Sequence, residues 1–461
     1  MIINLSQKIC AKELLAPLCN DLTDNRLIKC IVTNSNEAST DSVFVGIKGA
    51  SDDGNKYSRD AKIRGAFVIS NDLENSDLYS PDGIDAIRLI AKNYKEKMLK
   101  LKHTIAITGS VGKTTTKNIL KEMLSASKAI HATNENFNNL LGVSITILTA
   151  PLETEILVVE AGMNHKGELA IISDLLSPDI IIITNIGSAH IGNLGSREAI
   201  ASAKLEIINK SSTKVCIVPH DEPLLRHIEN KMTFSINDKE ANSFINPIKI
   251  NRSGSVFDLT CNEINVRGVK TSLVGEHILK LISAASCALC FLGFHSEELK
   301  TALSKSELAN TRAKLICIGR IRVLDDSYNA SFESMLASFN TVLLYDKNAS
   351  CVIGDVLELG KMSESIHEEL GKEIARRKFK KLYTFGKLAT HTALAAINCG
   401  IDPDSVFINE NLDSPEITAR QISKSYSDEI ILVKASRATG AERIYKELIL
   451  IEERRKENAD E

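Results

Sequence analysis

The sequence predicts an α/β protein of three domains: a central doubly wound parallel sheet, a Rossmann-like C-terminal unit and a small N-terminal α/β domain. Three observations carry that expectation. The chain has 461 residues, too many for one hydrophobic core. From Thr104 onward, apolar strand-like runs alternate with helical stretches, the signature of a mainly parallel sheet. A second alternating set begins at Ile321. The expected domains are residues 1–85, 86–312 and 313–461.

The elements follow in order. The first segment mixes short runs, Ser42 to Ile47 and Gly65 to Ser70, with polar loops. In the second, Thr104 to Thr108, Ile156 to Glu160 and Ile180 to Asn185 read as buried strands. Residues 214–274 are richer in short strands, and a helical run ends near Ala309. The third segment reads as strands at Ile321 to Leu324, Cys351 to Ile353, Leu382 to Phe385 and Glu429 to Val433. The tail, Glu452 to Glu461, reads as a solvated helix end.

Bulk properties exclude several classes. Hydrophobic residues at 43% and charged residues at 25% are ordinary soluble values, and a net charge of −3 offers no basic surface for nucleic acid. No long uncharged apolar run predicts an integral membrane segment, and Met1 to Asn20 lacks the pattern of a secretory signal. Ten scattered cysteines are too sparse for a disulfide scaffold. Cys287 and Cys290 have CxxC spacing but lie in an apolar helix-like run, which predicts core-facing thiols rather than zinc ligands. A reducing cytoplasm and a monomer are expected.

The strongest local signal is Thr108-Gly-Ser-Val-Gly-Lys-Thr-Thr-Thr116, after a predicted strand and opening a helix. Its glycines let backbone N–H groups and the helix N-terminus face phosphate. Gly109, Ser110, Val111, Gly112, Lys113, Thr114 and Thr115 form the expected ATP-binding loop, with Lys113 reaching the β/γ-phosphates and the Thr114 hydroxyl on Mg²⁺. Ile107 stands where the general pattern has its first glycine. Ligands of open α/β sheets gather at the carboxyl ends of strands. Glu160 ends one such strand, and His190 follows another by a short loop, so both are expected metal ligands. Lys204 lies between Ile200 and Ile208 on the apolar stripe of a helix expected over Ser196 to Asn209. An unpaired ammonium is costly there, and snorkelling is the ordinary escape.

These motifs together resemble the Mur ligases over essentially the whole chain. Glu160-Ala-Gly-Met-Asn-His-Lys-Gly-Glu168 is similar to the family's metal-binding strand end, and Ala189-His190 to its following histidine. Ala203-Lys204-Leu-Glu206 resembles the stretch carrying a carbamylated lysine, which implies that Lys204 becomes an anion able to ligate a second Mg²⁺. Arg312 and Asp326 match ATP-contacting positions. Lys434-Ala-Ser-Arg437 resembles a Lys-Gly-Ser-Arg element, with Ala435 departing from glycine. The resemblance thus implies Lys113, Lys204, His190, Arg312 and Asp326 as catalytic residues, and Thr114, Glu160, His190 and Lys204 as metal ligands.

Within the family, Asp325-Asp-Ser-Tyr-Asn-Ala330 resembles the element of members that add D-alanyl-D-alanine. Asn136-Phe-Asn-Asn139 and Gly354-Asp-Val-Leu-Glu-Leu-Gly360 with His367 are similar to that type too. The resemblance implies UDP-N-acetylmuramoyl-tripeptide and D-alanyl-D-alanine as substrates of an ATP-dependent peptidoglycan-precursor ligase working through an acyl phosphate. Ser35, Asn138, Asn139, Tyr328, Asn329, Lys434 and Arg437 would contact the substrates. Ser35 is flanked by Asn34 and Asn36 rather than the family's charged neighbours. Where the family reads Gly-x-His-Asn-x-x-Asn against the nucleotide, Gly275 to Leu281 keeps His277 but has Ile278 and Leu281. That departure implies a weak distinction between ATP and GTP. The competing readings are a relative adding a single amino acid, a folylpolyglutamate-type synthetase, and a P-loop switch that makes no bond.

Overall fold

The computed structural model describes residues 1–134, 136–209, 211–304 and 314–460. Among them stand three sheets of five, nine and six strands. The N-terminal sheet runs in chain order, Ile2–Cys10, Leu27–Val32, Ser42–Val45, Phe67–Ser70 and Leu78–Tyr79. Only its first pair is antiparallel.

The helix Gly83–Lys97 then joins this unit to the next. Asp82 caps it, Oδ1 accepting the Ile84 N–H at 2.8 Å. Its buried face, Ala86, Ile87, Ile90, Ala91 and Tyr94, shares one core with Leu14, Ile31 and Phe67 on one side and Leu148, Ala150 and Ile172 on the other. The Tyr94 hydroxyl donates to the Ala150 carbonyl at 2.7 Å and lies 3.0 Å from Ser6 Oγ.

In the central sheet seven strands run parallel, in the order Ile130–Ala132, Ile156–Glu160, His103–Thr108, Ile180–Ile183, Val215–Pro219, Lys231–Ile236 and Ser243–Asn251. Two antiparallel strands, Gly254–Cys261 and Ile264–Thr271, finish one edge. The run Ile156-Leu-Val-Val-Glu160 is buried at every residue, because helices cover both faces and both must be apolar. Strand order reverses around His103–Thr108, so the crevice beyond its carboxyl end is the place for a ligand.

The C-terminal sheet is ordered Lys314–Ile318, Ile321–Asp325, Ile430–Lys434, Ser350–Gly354, Leu382–Phe385 and Val406–Asn409, antiparallel only at its first pair. Insertion of Ile430–Lys434 between the strands that end at Asp325 and Gly354 brings Asp326 and Lys434 side by side.

Two of the expectations that bear on the site need adjusting, and the N-terminal runs shorten to Ser42–Val45 and Phe67–Ser70. The strand expected to reach Asn185 ends at Ile183, because the Asn185 side chain leaves the sheet to accept the Ser110 and Val111 N–H groups, each at 2.9 Å. The helix expected over Ser196 to Asn209 spans Arg197–Leu205, with Ser196 Oγ accepting the Ala199 N–H as its cap. Cys287 is fully buried in the helix Glu276–Phe291, as a core-facing thiol should be. No helix among the described residues is long and apolar enough to cross a membrane. The proposed boundary near residue 312 falls outside the described residues.

Candidate active site

A cleft of about 790 Å³ opens between the central and C-terminal sheets. Its floor is the phosphate loop. Gly109 and Gly112 take φ of 141° and 88°, the region that favours glycine. A Cβ on Gly109 would stand 1.9 Å from Thr184 Oγ1, so the loop can lie on the neighbouring strand only with glycine there. Lys113 opens the helix Lys113–Ser125, and its Nζ folds back on the Gly109 carbonyl at 2.7 Å. The helix N-terminus and the loop amides give this floor a positive potential.

The strand end Glu160 stands beside the loop. Its carboxylate accepts the Thr114 hydroxyl at 2.8 Å and the Asn138 amide at 2.9 Å, and the residue is 2% exposed. Both of those donors are neutral. His190 begins a short helix with φ of 66°. Its Nδ1 is buried and lies 2.7 Å from Glu358 Oε2 of the C-terminal unit, but off the direction of a hydrogen bond. Burial lowers the His190 pKa, Glu358 opposes that shift, and Lys113 and Lys204 reinforce it. Lys204 is 2% exposed, with no carboxylate partner among the described residues. It therefore does not snorkel. Burial, aided by Lys113, pushes its pKa well below the usual ammonium range. Lys204 does not line the cleft but is near enough for its charge to act on His190. A hydroxyl, a buried carboxylate and an imidazole with an unsatisfied nitrogen fit a hard divalent cation better than a soft one.

The C-terminal wall is built on a buried ion pair. Lys434 Nζ lies 2.7 Å from Asp326 Oδ2 and donates to the Asn329 carbonyl at 3.0 Å. The Arg437 guanidinium stacks over the Tyr328 ring at 4.8 Å, and its backbone N–H reaches Asn329 Oδ1. Ala435 packs where a larger neighbour would clash: a Cβ on Gly354 would be 2.7 Å from the Ala435 methyl. The methyl at the departing position is thus matched by a glycine opposite.

The remaining site expectations fall in three groups. Ser110 to Thr115, Asn138, Glu160, His190, Asp326, Tyr328, Asn329, Lys434 and Arg437 line the cleft together. Gly109, Ser35 and Asn139 do not: Gly109 packs against Thr184, Ser35 is buried in the N-terminal unit, and Asn139 caps the helix Leu140–Leu148 through the Gly142 N–H. Arg312 lies outside the described residues. Ile278 and Leu281 do line the cleft, with the Leu281 methyls about 3.0 Å from where a Gly112 Cβ would be.

Sequence reasoning missed Asn185, Glu333 and Glu358. Asn185 stood at a predicted strand end, and its polarity after four isoleucines was a usable signal. Glu333 had none, since an acidic residue near a helix start is ordinary surface; Glu358 lies within the Gly354 to Gly360 element, which marked the stretch but gave this residue no role.

Comparison with known proteins gives one answer. The family description "Mur ligase middle domain" matches residues 107–289, and "Mur ligase, glutamate ligase domain" matches residues 311–437. The chain is 32% identical to the UDP-N-acetylmuramoyl-tripeptide–D-alanyl-D-alanine ligase of Bacillus subtilis, covering 97% of this chain and 99% of that protein. Among solved structures it is similar to MurF from Acinetobacter baumannii, with a TM-score of 0.85 at 27% identity over 97% of this chain and 100% of that one. It is also similar to MurF ligase from Thermotoga maritima in complex with ADP, with a TM-score of 0.79 at 26% identity over 92% and 98% of the two chains.

Proposed function

This chain belongs to the Mur ligase family, and from that premise we propose that it joins D-alanyl-D-alanine to the terminal carboxylate of UDP-N-acetylmuramoyl-tripeptide, using ATP. The single observation that carries the reading is a phosphate loop facing a buried Asp326–Lys434 pair across one cleft. A carboxylate and an amine do not condense unaided in water, so the acid must first gain a better leaving group.

The loop amides of Ser110 to Thr115 and Lys113 would hold the phosphates, leaving the γ-phosphorus facing the C-terminal wall. The precursor carboxylate attacks that phosphorus, an acyl phosphate forms, and ADP leaves. The amine of D-alanyl-D-alanine then attacks the acyl carbon, and collapse of the tetrahedral intermediate forms the amide and releases phosphate. Lys113 and Lys434 would offset the charge that accumulates. Tyr328, Asn329 and Arg437 would align the peptide end, and docking of the C-terminal unit would exclude water that hydrolyses the acyl phosphate.

Thr114, Glu160, His190 and Lys204 would hold Mg²⁺, which when bound neutralises phosphate charge. The depressed pKa of Lys204 supports its carbamylation: the neutral amine is the form that adds CO₂, making an N–C bond and losing one proton. The domain limits we propose are 1–85 for the UDP end of the precursor, with Ser35 and Asn139 there or near it, 86–312 for ATP, and 313–461 for the incoming dipeptide. Arg312 would contact ATP.

Positional isotope exchange tests the acyl phosphate. With ATP labelled at its β,γ-bridge and the tripeptide precursor but no dipeptide, label should scramble. Absence of scrambling together with precursor-independent hydrolysis would favour a phosphate-loop switch instead.

A further inference from the structure

Six residues, Gly187 to Gly192, carry His190, and the C-terminal unit grips both ends of them. At one end Glu333 accepts the Ser188 N–H at 2.7 Å and the Ser188 hydroxyl at 3.2 Å. At the other end the Glu358 carbonyl accepts the Gly192 N–H at 3.0 Å, while its carboxylate stands 2.7 Å from His190 Nδ1. Glycine lies opposite both grips: a Cβ on Gly187 would be 2.6 Å from the Glu333 carboxyl carbon, and one on Gly192 would be 2.6 Å from the Glu358 backbone carbonyl, which has less room to yield.

Glu358 is also held in an unusual backbone. Its φ is 64°, a conformation that a non-glycine residue keeps only when its surroundings impose it. Those surroundings are visible. The preceding Val356 N–H donates to the buried His367 Nε2 at 3.1 Å, and the Leu357 N–H donates to Ser436 Oγ at 2.8 Å. Ser436 is next to Arg437 of the cleft wall. The turn is therefore braced from within the C-terminal unit.

We propose that Glu358 is a positioning residue: by accepting from His190 Nδ1–H across the domain joint, it fixes the tautomer that leaves Nε2 as the ligating nitrogen. A ligating histidine commonly has its second nitrogen on a carboxylate, and losing that partner costs metal affinity about 10- to 100-fold. Here the carboxylate belongs to another domain, so the metal site is complete only when the C-terminal unit is docked. The proposal requires the imidazole to turn toward the carboxylate, because the present 2.7 Å approach is off the hydrogen-bond axis. The inference rests on the metal reading proposed above.

The test uses the full chain saturated with a non-hydrolysable ATP analogue. Mn²⁺ binding is followed by electron paramagnetic resonance, and the His190 ring nitrogens by ¹⁵N NMR. Wild type should show one tautomer, protonated at Nδ1. Glu358→Ala should show a mixture and bind Mn²⁺ about tenfold more weakly, whereas Glu358→Gln, which still accepts, should keep the single tautomer. Because the Glu358 side chain is 59% exposed, both variants should fold. A single unchanged tautomer in Glu358→Ala would overturn the proposal. If wild type binds no Mn²⁺, the metal reading itself fails, and the tautomer still decides whether Glu358 orients His190.

Discussion

The two joints of this molecule differ in what each adds to a shared apolar core. The joint between the N-terminal and central units is apolar: one helix, Gly83–Lys97, buries Ile87, Ile90 and Tyr94 in a core continuous with both sheets. The joint between the central and C-terminal units surrounds the cleft and adds carboxylates, amides and glycines to a core that also takes in Val356 and Leu359, with Glu333 on Ser188 and Glu358 at His190 and Gly192. Burial of apolar area is non-directional and resists separation, whereas polar contacts exchange readily with water. The first joint is therefore read as the fixed one and the second, which holds the cleft, as the working one.

The sharpest way to break this contrast is at the phosphate loop, which belongs to the working joint. Lys113→Ala should lower kcat/KM by about 10³-fold or more, on the scale of a lost charge-stabilising group. Binding of the UDP precursor, measured by calorimetry, should persist. Substantial residual ligation would contradict the role of the loop.

Lys204→Ala sharpens the same side. Activity should fall by at least about 10²-fold, while the melting temperature holds, since removing a buried unpaired amine relieves a cost. A short carboxylic acid such as acetate or formate should restore part of the turnover by standing in for the carbamate. A melting temperature that collapses along with activity would mean the lysine is structural.

On the fixed joint the expected effect is on stability. Ile90→Ala, at a site with no exposure, should cost about 2–5 kcal/mol in denaturant unfolding and leave the KM for ATP unchanged. Equal damage to catalysis and stability would blur the distinction between the two joints.

The smallest effect concerns the base. Ile278 and Leu281 present only apolar surface to the cleft where relatives are expected to carry amides. Such a slot discriminates by about 10- to 200-fold, against 10⁴ or more for a hydrogen-bonding one. The ratio of kcat/KM for ATP over GTP should therefore stay below about 10²; a far larger ratio would show that backbone groups read the base edge.

Much of this arrangement was legible in the sequence because it rests on local patterns. The strands Ile156–Glu160 and Leu382–Phe385 fall where their apolar runs place them, and the glycine spacing from Gly109 to Gly112 announces its own loop. Lys204 was legible as an anomaly, although the common remedy of snorkelling is the one this fold does not use. What stayed hidden depends on tertiary neighbours. Asn185 ends its strand early because the phosphate loop needs an acceptor, and Asn139 turns away from the cleft because a helix needs a cap. Glu333 and Glu358 acquire meaning only when another sheet is laid against them. The polar joint was thus harder to read than the apolar one, since period and hydrophobicity mark a core but not a contact across a cleft.

The central claim, that this working joint makes an amide at the expense of ATP, is tested most directly by one stoichiometry. Purified protein is given ATP, Mg²⁺, UDP-N-acetylmuramoyl-tripeptide and D-alanyl-D-alanine, and phosphate release is followed alongside product mass. One phosphate should appear for each precursor that gains the mass of D-alanyl-D-alanine less one water, with little release when the dipeptide is omitted. Phosphate released at the same rate without the dipeptide, and no heavier precursor, would contradict the account.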